Sequence, residues 1–575
     1  MGQLSPTPRL QPIDATTLRA LVMELCRALV PSRFEKAQQS DGQTLQLALR
    51  HLGGVQWLEL SWMAEAPRVL AIPPPPRQGE GSTLAQQVQH ALRGLALVAI
   101  DQQGWERVVS LDFAARPGEP TQRRLVLELM GRHSNLFLLN AEQQVISLAR
   151  QVRPEQSRWR PIGTGDAYSP PPPLRGEPPR ADEPFERWQR RLLARPQSLA
   201  EALMEAYQGV SPALVQQLLA PLPGGAGPGA AQPVQELDGE QWGWLWQRWQ
   251  GWLKAVDQGC FSLSWTSEMT YRCWQDPPDP PIAPVASAPA PLPIHGALAA
   301  ATQRWLEARR LHQHRLALRQ RLEGLQEREH RQVEEQRALL EAAGGSDLLQ
   351  HQADALLCLP APGKDVIREA QALYKRARKL RRSVAAISPR LENHQQRLAW
   401  LEEALVFVDQ ADQADQLQAL EEDLQPLEPR YKTPSGARLR RRPRAGADVA
   451  APRPLELRSP SGLCLQVGRN HRQNEWISLR QARRGDLWFH AQEVPGSHVV
   501  LKASMGPAAE ADMEAAADLA AHFSRGRGNT RVPVLMVPTE GLQRLPGSAA
   551  GTVRHRGGDI LWGQPERARR LLEAS

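Results

Sequence analysis

The stretch Gly485-Asp486-Leu487-Trp488-Phe489-His490-Ala491-Gln492-Glu493-Val494-Pro495-Gly496-Ser497-His498-Val499 sets two large aromatics and two histidines around a Pro-Gly turn. Leu487–Ala491 and His498–Lys502 read as strands. Val494-Pro495-Gly496-Ser497 fits a type II turn, with Pro at its second position and Gly where φ must be positive. A tight hairpin on that turn pairs Glu493 with His498 and His490 with Leu501. Alternation then sends His490 and His498 to opposite faces, which speaks against a metal held by the two. One face is left to bury Trp488 or Phe489, at least one of which belongs to the core. The other face offers a histidine or aromatic ring to a base or a phosphate. Leu463–Val467 and Val534–Val537 add strands and Ala508–Ser524 an alanine-rich helix, so residues 455–565 read as a small α/β module.

Working upstream, proline punctuates the chain. An Arg- and Pro-rich linker is expected over 426–454, containing Arg438, Arg440, Arg441, Arg442 and Arg444, and a Pro-rich linker over 275–294. Between them, 296–425 carries two apolar stripes at heptad spacing. The first runs through Leu311, Leu318, Leu322, Leu325, Leu339 and Leu340, the second through Val384, Ile387, Leu391, Leu398, Leu401, Leu405 and Val408. Each stripe needs a partner, and an antiparallel coiled-coil hairpin supplies one. The turn is expected within 342–365, and Pro389 is expected to kink the second helix or restart it with Ser388 as N-cap. Arg368, Lys375, Arg376, Arg378, Lys379, Arg381 and Arg382 crowd one short run in which Glu369 is the only acid. Such a run repels itself unless a polyanion neutralises it.

Residues 184–258 are helical and tryptophan-rich. Tyr207-Gln-Gly209-Val-Ser211-Pro212 has the grammar of a helix-hairpin-helix, with Gly209 ending one helix and Ser211-Pro212 starting the next. Residues 1–183 mix helix and strand. Asp14–Val30 places Leu18, Leu21, Val22, Leu25 and Leu29 on one stripe, while Arg107–Phe113 and Asn135–Asn140 are β-like. Glu128 and His133 could form an acid/base pair with Arg132 as a phosphate ligand, a weak catalytic signal taken alone.

At 575 residues, length points to about four domains. The formal charge of +8 and pI near 9.5 favour a polyanionic partner, nucleic acid before anionic membrane. Seven lysines stand against 63 arginines; arginine suits bidentate phosphate contact, and a GC-rich gene gives the same bias. Five scattered cysteines fit neither a disulfide framework nor a zinc site. No secretory signal and no run of eighteen apolar residues is visible, so a reduced, cytosolic, metal-free protein is expected.

These motifs resemble those of the NFACT family. The Gly485–Val499 string is similar to the signature of its RNA-binding module, and Ala370-Gln-Ala-Leu-Tyr-Lys-Arg376 to that of its middle domain, with Glu369 where members often carry Asn. Arg33-Phe-Glu-Lys36-Ala-Gln38, Gln103-Gly-Trp-Glu-Arg107, Glu128-Leu-Met-Gly-Arg-His-Ser-Asn135 and Arg158-Trp-Arg160-Pro161…Gly163…Tyr168 resemble N-terminal hallmarks. The likeness covers nearly the whole chain apart from 275–294 and a shortened stretch near 360–365. It implies a multidomain α+β protein. The expected parts are a glycosylase-like α+β N-terminal domain (1–183), a helix-hairpin-helix domain (184–258), a long antiparallel coiled-coil hairpin (296–425) and a small α/β RNA-binding domain (455–565). It also implies a cytoplasmic, ribosome-associated factor that binds obstructed large (50S) subunits carrying peptidyl-tRNA and recruits tRNA, alanyl-tRNA by family precedent, for untemplated alanine tailing. No catalytic residue, cofactor, metal or membrane partner is expected.

By the same likeness, Glu106-Arg107 stands where the family's Asp-Arg pair engages aminoacyl-tRNA, with a carboxylate one methylene longer. Arg132 and His133 join that tRNA set. Lys375, Arg376, Lys379, Arg382, Trp488, His490 and His498 are the expected contacts to ribosomal or tRNA backbone. Two alternatives come with the family. One is a fibronectin-binding surface adhesin, against which the missing signal counts. The other is a glycosylase-like nucleic-acid enzyme, against which Gly2 counts, since that chemistry uses an N-terminal proline amine.

Overall fold

The computed structural model describes residues 9–77, 82–220, 227–275, 292–360, 363–424, 452–544 and 550–573, which form two compact units dividing after Ala308. Most of the segments expected as linkers over 275–294 and 426–454 lies outside the described residues.

The first unit opens on α1 (Ala15–Leu29). Asp14 is its N-cap, accepting from the Thr17 amide at 2.8 Å and satisfying one of the donors a helix start leaves open. Leu18, Leu21, Leu25 and Leu29 recur at three- and four-residue steps and are fully buried. They cover an antiparallel sheet of β1 (Ser32–Asp41), β2 (Thr44–His51), β3 (Gly54–Ser61), β4 (Arg68–Ile72), β5 (Ala96–Gln102), β6 (Val108–Ala114), β7 (Arg123–Glu128), β8 (Asn135–Leu139) and β9 (Val145–Leu148). The strand order is β4-β3-β2-β1-β5-β6-β7-β8-β9, and α2 (Thr83–Leu92) bridges the step from β4 to β5. Alternation sends Leu111, Phe113, Leu125 and Leu127 to the side of α1, and Val108, Val126 and Phe137 to a smaller cluster on the other side.

Four helices follow: α3 (Phe185–Leu192), α4 (Leu199–Ala206), α5 (Pro212–Leu219) and α6 (Gly239–Gln258). Trp188, Trp249 and Trp252 are wholly buried among them. The link between α4 and α5 matches its sequence reading, with Gly209 at φ +73°, Ser211 as N-cap and Pro212 in the first turn. A hairpin of β10 (Phe261–Trp265) and β11 (Tyr271–Trp274) was not expected. It returns Tyr271 and Cys273 to the core under α1 while Trp274 joins the tryptophan cluster, which ties the two parts of the unit together.

The last pieces of this unit are the first turns of α7 (Pro293–Ala343). His295 is fully buried; its Nδ1 accepts from the Ala71 amide at 3.0 Å and its Nε2 meets the Leu21 carbonyl at 3.0 Å. That pairing requires a neutral ring, and burial pushes its pKa down to about 4.

In the second unit, α7 continues, followed by α8 (Ser346–Leu357), α9 (Lys364–Gln410) and α10 (Ala414–Leu424). Arg319 pairs with Asp409 at 2.9 Å and Glu329 with His394 at 2.6 Å, so α7 and α9 run antiparallel as expected. Leu318 and Leu322 pack on Trp400, Leu401, Phe407 and Val408. Two expectations are corrected. The segment expected to hold a turn contains a further helix, α8, which packs on α9 where Ala353, Ala370 and Ala377 are buried. α9 also runs unbroken through Pro389, so of the kink or restart expected there the restart at Ser388 does not occur; proline lacks the amide that would reach the Ala385 carbonyl, and its ring crowds that carbonyl.

The remaining module contains β12 (Leu455–Arg458), β13 (Cys464–Val467), α11 (His471–Glu475), β14 (Leu487–Ala491), β15 (Val499–Leu501), α12 (Glu510–His522), β16 (Val532–Pro538), the separate pair β17 (Leu542–Arg544) and β18 (Val553–His555), β19 (Asp559–Gly563) and α13 (Pro565–Glu573). Its antiparallel sheet has the order β12-β13-β15-β14-β16-β19. Phe489, Ala491 and Val534 face α12; Trp488, Val500 and Val537 face the segment around Ile477. The protein is thus a multidomain α+β chain. Among the described residues no helix is long and apolar enough to cross a membrane.

The unfolded chain takes up a proton on His295 near pH 6.5, whereas the folded ring resists it to about pH 4. Stability is therefore fully present above about pH 6.5 and falls as acid is added, by about 3 kcal/mol across that window. Urea unfolding at stepped pH should show this loss in the first unit, and His295→Gln should flatten it. An equal slope in both proteins would refute the assignment.

Candidate nucleic-acid interface

Glu106 and Arg107 stand on the turn between β5 and β6. They line a cleft of about 370 Å³ with Trp105, Met130, Leu174 and the Tyr207–Pro212 link. Asp14 holds this cleft together. Besides capping α1, its carboxylate accepts the Ser211 hydroxyl at 2.6 Å, and Ser211 in turn accepts from the Leu214 amide at 3.0 Å to cap α5. The left-handed φ at Gly209 lets the link close over Trp105. A Cβ there would sit 3.1 Å from Trp105 and 3.2 Å from Ala15. Trp105 packs on Trp252 at 5.3 Å under the Arg19 guanidinium, which also donates to the Gly104 carbonyl at 2.7 Å.

The Glu106 carboxylate accepts from the Leu174 amide at 3.1 Å. Burial raises its pKa, with the Leu174 amide and the Arg107 charge pulling the other way. The Leu129 amide donates to the Arg107 carbonyl at 2.9 Å, so Arg107 lies at the same sheet end as the single turn Gly131–His133. Arg132 and His133 are exposed there, joined by a 3.0 Å hydrogen bond from Arg132 Nε to His133 Nε2. All four residues singled out in this domain thus gather at one end of the sheet. A half-buried carboxylate and guanidinium lie in the cleft, and an exposed guanidinium and imidazole stand on the turn that follows Met130, which lines it.

Glu128 has a different role from the acid/base pairing considered with His133. It is 2% exposed and forms a bidentate ion pair with Arg160 at 2.6 and 2.8 Å, while the Tyr168 hydroxyl donates to it at 2.9 Å. Both oxygens are engaged, so the residue anchors the loop that carries Arg160 rather than serving proton transfer.

On α9, Lys375, Arg376, Arg378, Lys379 and Arg382 are all exposed. Arg368 pairs with Asp365 at 2.9 Å and Arg381 approaches Asp347 at 3.7 Å, but those five find no acid within 4.0 Å among the described residues. Lys375, Lys379 and Arg382 follow i, i+4, i+7 spacing, which stacks them along one side of the helix.

In the last module the register differs from a tight hairpin. Leu487 pairs with Leu501, Trp488 with Val500 and Phe489 with Val499. Between the strands, Gly496 bridges to Ser524 beyond α12, with Ser497 donating to the Phe523 carbonyl at 2.9 Å. A Cβ on Gly496 would fall 2.8 Å from that of Ser524, so glycine is needed for close approach; the positive φ belongs to Glu493 at 55°. This register corrects the opposite-face placement. His490 and His498 share a face, their rings 5.3 Å apart, and Trp488 stacks on His490 at 5.6 Å. Trp488 and His498 are each 3% exposed and His490 is half-buried. His498 is held by Ser478 at 2.8 Å and, through its amide, by Asn474 at 3.1 Å. Burial pushes both imidazoles below their ordinary range, so the cluster presents neutral rings rather than cations. Sequence reasoning missed β19, whose Ile560 and Trp562 are 52% and 59% exposed.

Asp486, the second residue of the motif, is completely buried. It pairs with Lys502 at 3.2 Å while accepting from the Arg483 amide at 2.9 Å and the Ser504 amide at 3.1 Å. Asp486→Ala should strand the Lys502 ammonium and cost about 3–5 kcal/mol, read by denaturant unfolding of this module. Asp486→Ala with Lys502→Met should recover part of that loss. A single variant as stable as the parent would contradict the pairing.

Comparison with known proteins agrees along the length of the chain. The family described as NFACT N-terminal and middle domains matches residues 14–361 and 360–433, and the NFACT protein RNA binding domain matches 455–557. A protein named Rqc2 homolog RqcH from Streptococcus pneumoniae (strain ATCC BAA-255 / R6) is 24% identical over 587 residues, covering 96% of this chain and 98% of that protein. The protein of the same name from Bacillus subtilis (strain 168) is 30% identical over 195 residues, 34% of this chain and 32% of its own. Among solved structures, the C-terminal part of the fibronectin/fibrinogen-binding protein from Streptococcus suis is 25% identical and covers 46% of this chain and 99% of its own, with a TM-score of 0.38. With its N-terminal, middle and RNA-binding domains all matched, the chain belongs to the NFACT family.

Proposed function

We propose that this protein is a ribosome quality-control factor that binds obstructed 50S subunits still holding a nascent chain on peptidyl-tRNA. There it recruits tRNA, alanyl-tRNA in this proposal, for untemplated alanine tailing of the stalled chain. The observation that carries the proposal is the near full-length likeness to a protein named Rqc2 homolog RqcH. Two physical features support it. The cleft at Glu106 and Arg107 combines a guanidinium suited to phosphate with a carboxylate able to accept from a ribose or base, and Arg132 and His133 stand on a neighbouring turn. The five cations of α9 that meet no acid among the described residues form a backbone-reading surface that gains stability by displacing the counterions of RNA. In this scheme ribosomal RNA performs peptide-bond formation, and the protein holds and orients its partners without a catalytic residue or cofactor of its own.

Arg107→Ala should abolish co-purification of tRNA and leave 50S binding largely intact, as read by sequencing and quantifying bound RNA. Unchanged tRNA recovery would remove the N-terminal cleft from the proposal. Subunit binding should weaken steeply with salt, and Lys379→Ala with Arg382→Ala should make the log-log slope shallower by about 1–2. A slope identical to the parent would detach the α9 face from RNA.

A further inference from the structure

We infer that the open part of the RNA-binding domain's sheet, built from Trp562, Ile560, Leu535 and Pro533 beside His490, binds unpaired RNA bases by stacking. This inference rests on the RNA-contact role proposed above and adds a site to it. Register places these residues together. Trp562 lies opposite Pro533 and Ile560 opposite Leu535, while Leu535 lies opposite His490 on its other side. Residues directly opposite in an antiparallel pair share a face, so the five form one surface. The face is covered at one end, where Trp488, Val500 and Val537 pack with Ile477 and Leu542. Towards β19 it opens: His490, Leu535 and Pro533 are half-buried, and Ile560 and Trp562 are exposed.

Exposed Trp and Ile side by side on an edge strand leave apolar area in water and invite pairing with other chains, so they call for an occupant. The chemistry of the surroundings favours RNA. The open end carries neutral rings and aliphatic groups; Asp559, the nearest acid on the strand, alternates to the opposite face, and the acid that acts on His490 is Glu403 of α9. Arg554, His555 and Arg556 are exposed in the segment that leads into β19, and His555 is close enough to act on the charge of His490. Ring surface inside a basic margin is the arrangement by which sheets take single strands, bases on the rings and phosphates on the guanidinium groups.

The test uses the full chain and a fluorescein-labelled uridine decamer, with an RNA duplex as control. Trp562→Ala should weaken decamer binding about tenfold or more, and Trp562→Phe should retain most of it. Neither should change duplex binding. A 4-thiouridine decamer should crosslink within residues 557–567, the tryptic segment holding Ile560 and Trp562. Because Trp562 is exposed, both variants should melt with the parent. Decamer binding unchanged in Trp562→Ala, with crosslinks only elsewhere, overturns the stacking site and leaves the proposed function standing. Failure of the parent to bind either RNA overturns both. Normal RNA binding combined with lost self-association in sedimentation overturns the proposal and assigns the face to a second copy of the chain.

Discussion

One carboxylate organises the N-terminal unit. Asp14 caps the start of α1 through the Thr17 amide and, through the Ser211 hydroxyl, also fixes the start of α5. Each cap satisfies donors that a buried helix start cannot leave open. Sharing one group between them sets the distance between the sheet domain and the helical hairpin. The cleft holding Glu106 and Arg107 exists because that distance is fixed, with Gly209 admitting Trp105 beneath the link. Neither side chain of the pair needs to search for its position; the surrounding caps and rings have already restricted both.

The C-terminal module separates stability from recognition by the two faces of its sheet. Phe489, Ala491 and Val534 pack on the alanine-rich α12, whose small side chains let helix and sheet approach closely. The other face is divided, with a dry end around Trp488 and an open end at β19. His471, fully buried beside that dry end, stacks on Trp400 of α9 at 4.1 Å and joins the module to the base of the coiled coil.

Features set by local chemistry were legible in the sequence. The leucine stripe of α1, the Gly209–Ser211–Pro212 link and the heptads of α7 and α9 all depend on neighbours within about a turn. Features set by distant partners were not. The turn at Pro495-Gly496 looked sufficient for a tight hairpin, but Gly496 pairs with Ser524, and no local rule reports that contact. Glu128 read as a free acid because Arg160, which neutralises it, lies in a separate loop. Helix α8 lies in a stretch read as a turn and packs on α9 where Ala353, Ala370 and Ala377 are buried, a contact that no local pattern reports. Of the site residues, the set proposed for tRNA came from family motifs, and the fold brings its four members to one end of the sheet, whereas the exposure of Trp562 follows from a register that only the folded sheet defines.

The distance between the cations of α9 and its buried foot has a mechanical consequence. Lys379 and Trp400 are separated by 21 residues of continuous helix, about 30 Å of rigid rod. A tilt of about 10° at the foot therefore sweeps the charged segment through about 5 Å. Through its length the rod magnifies a small tilt at its foot into a larger displacement of its charged segment, a gearing that a compact basic domain of equal charge could not provide.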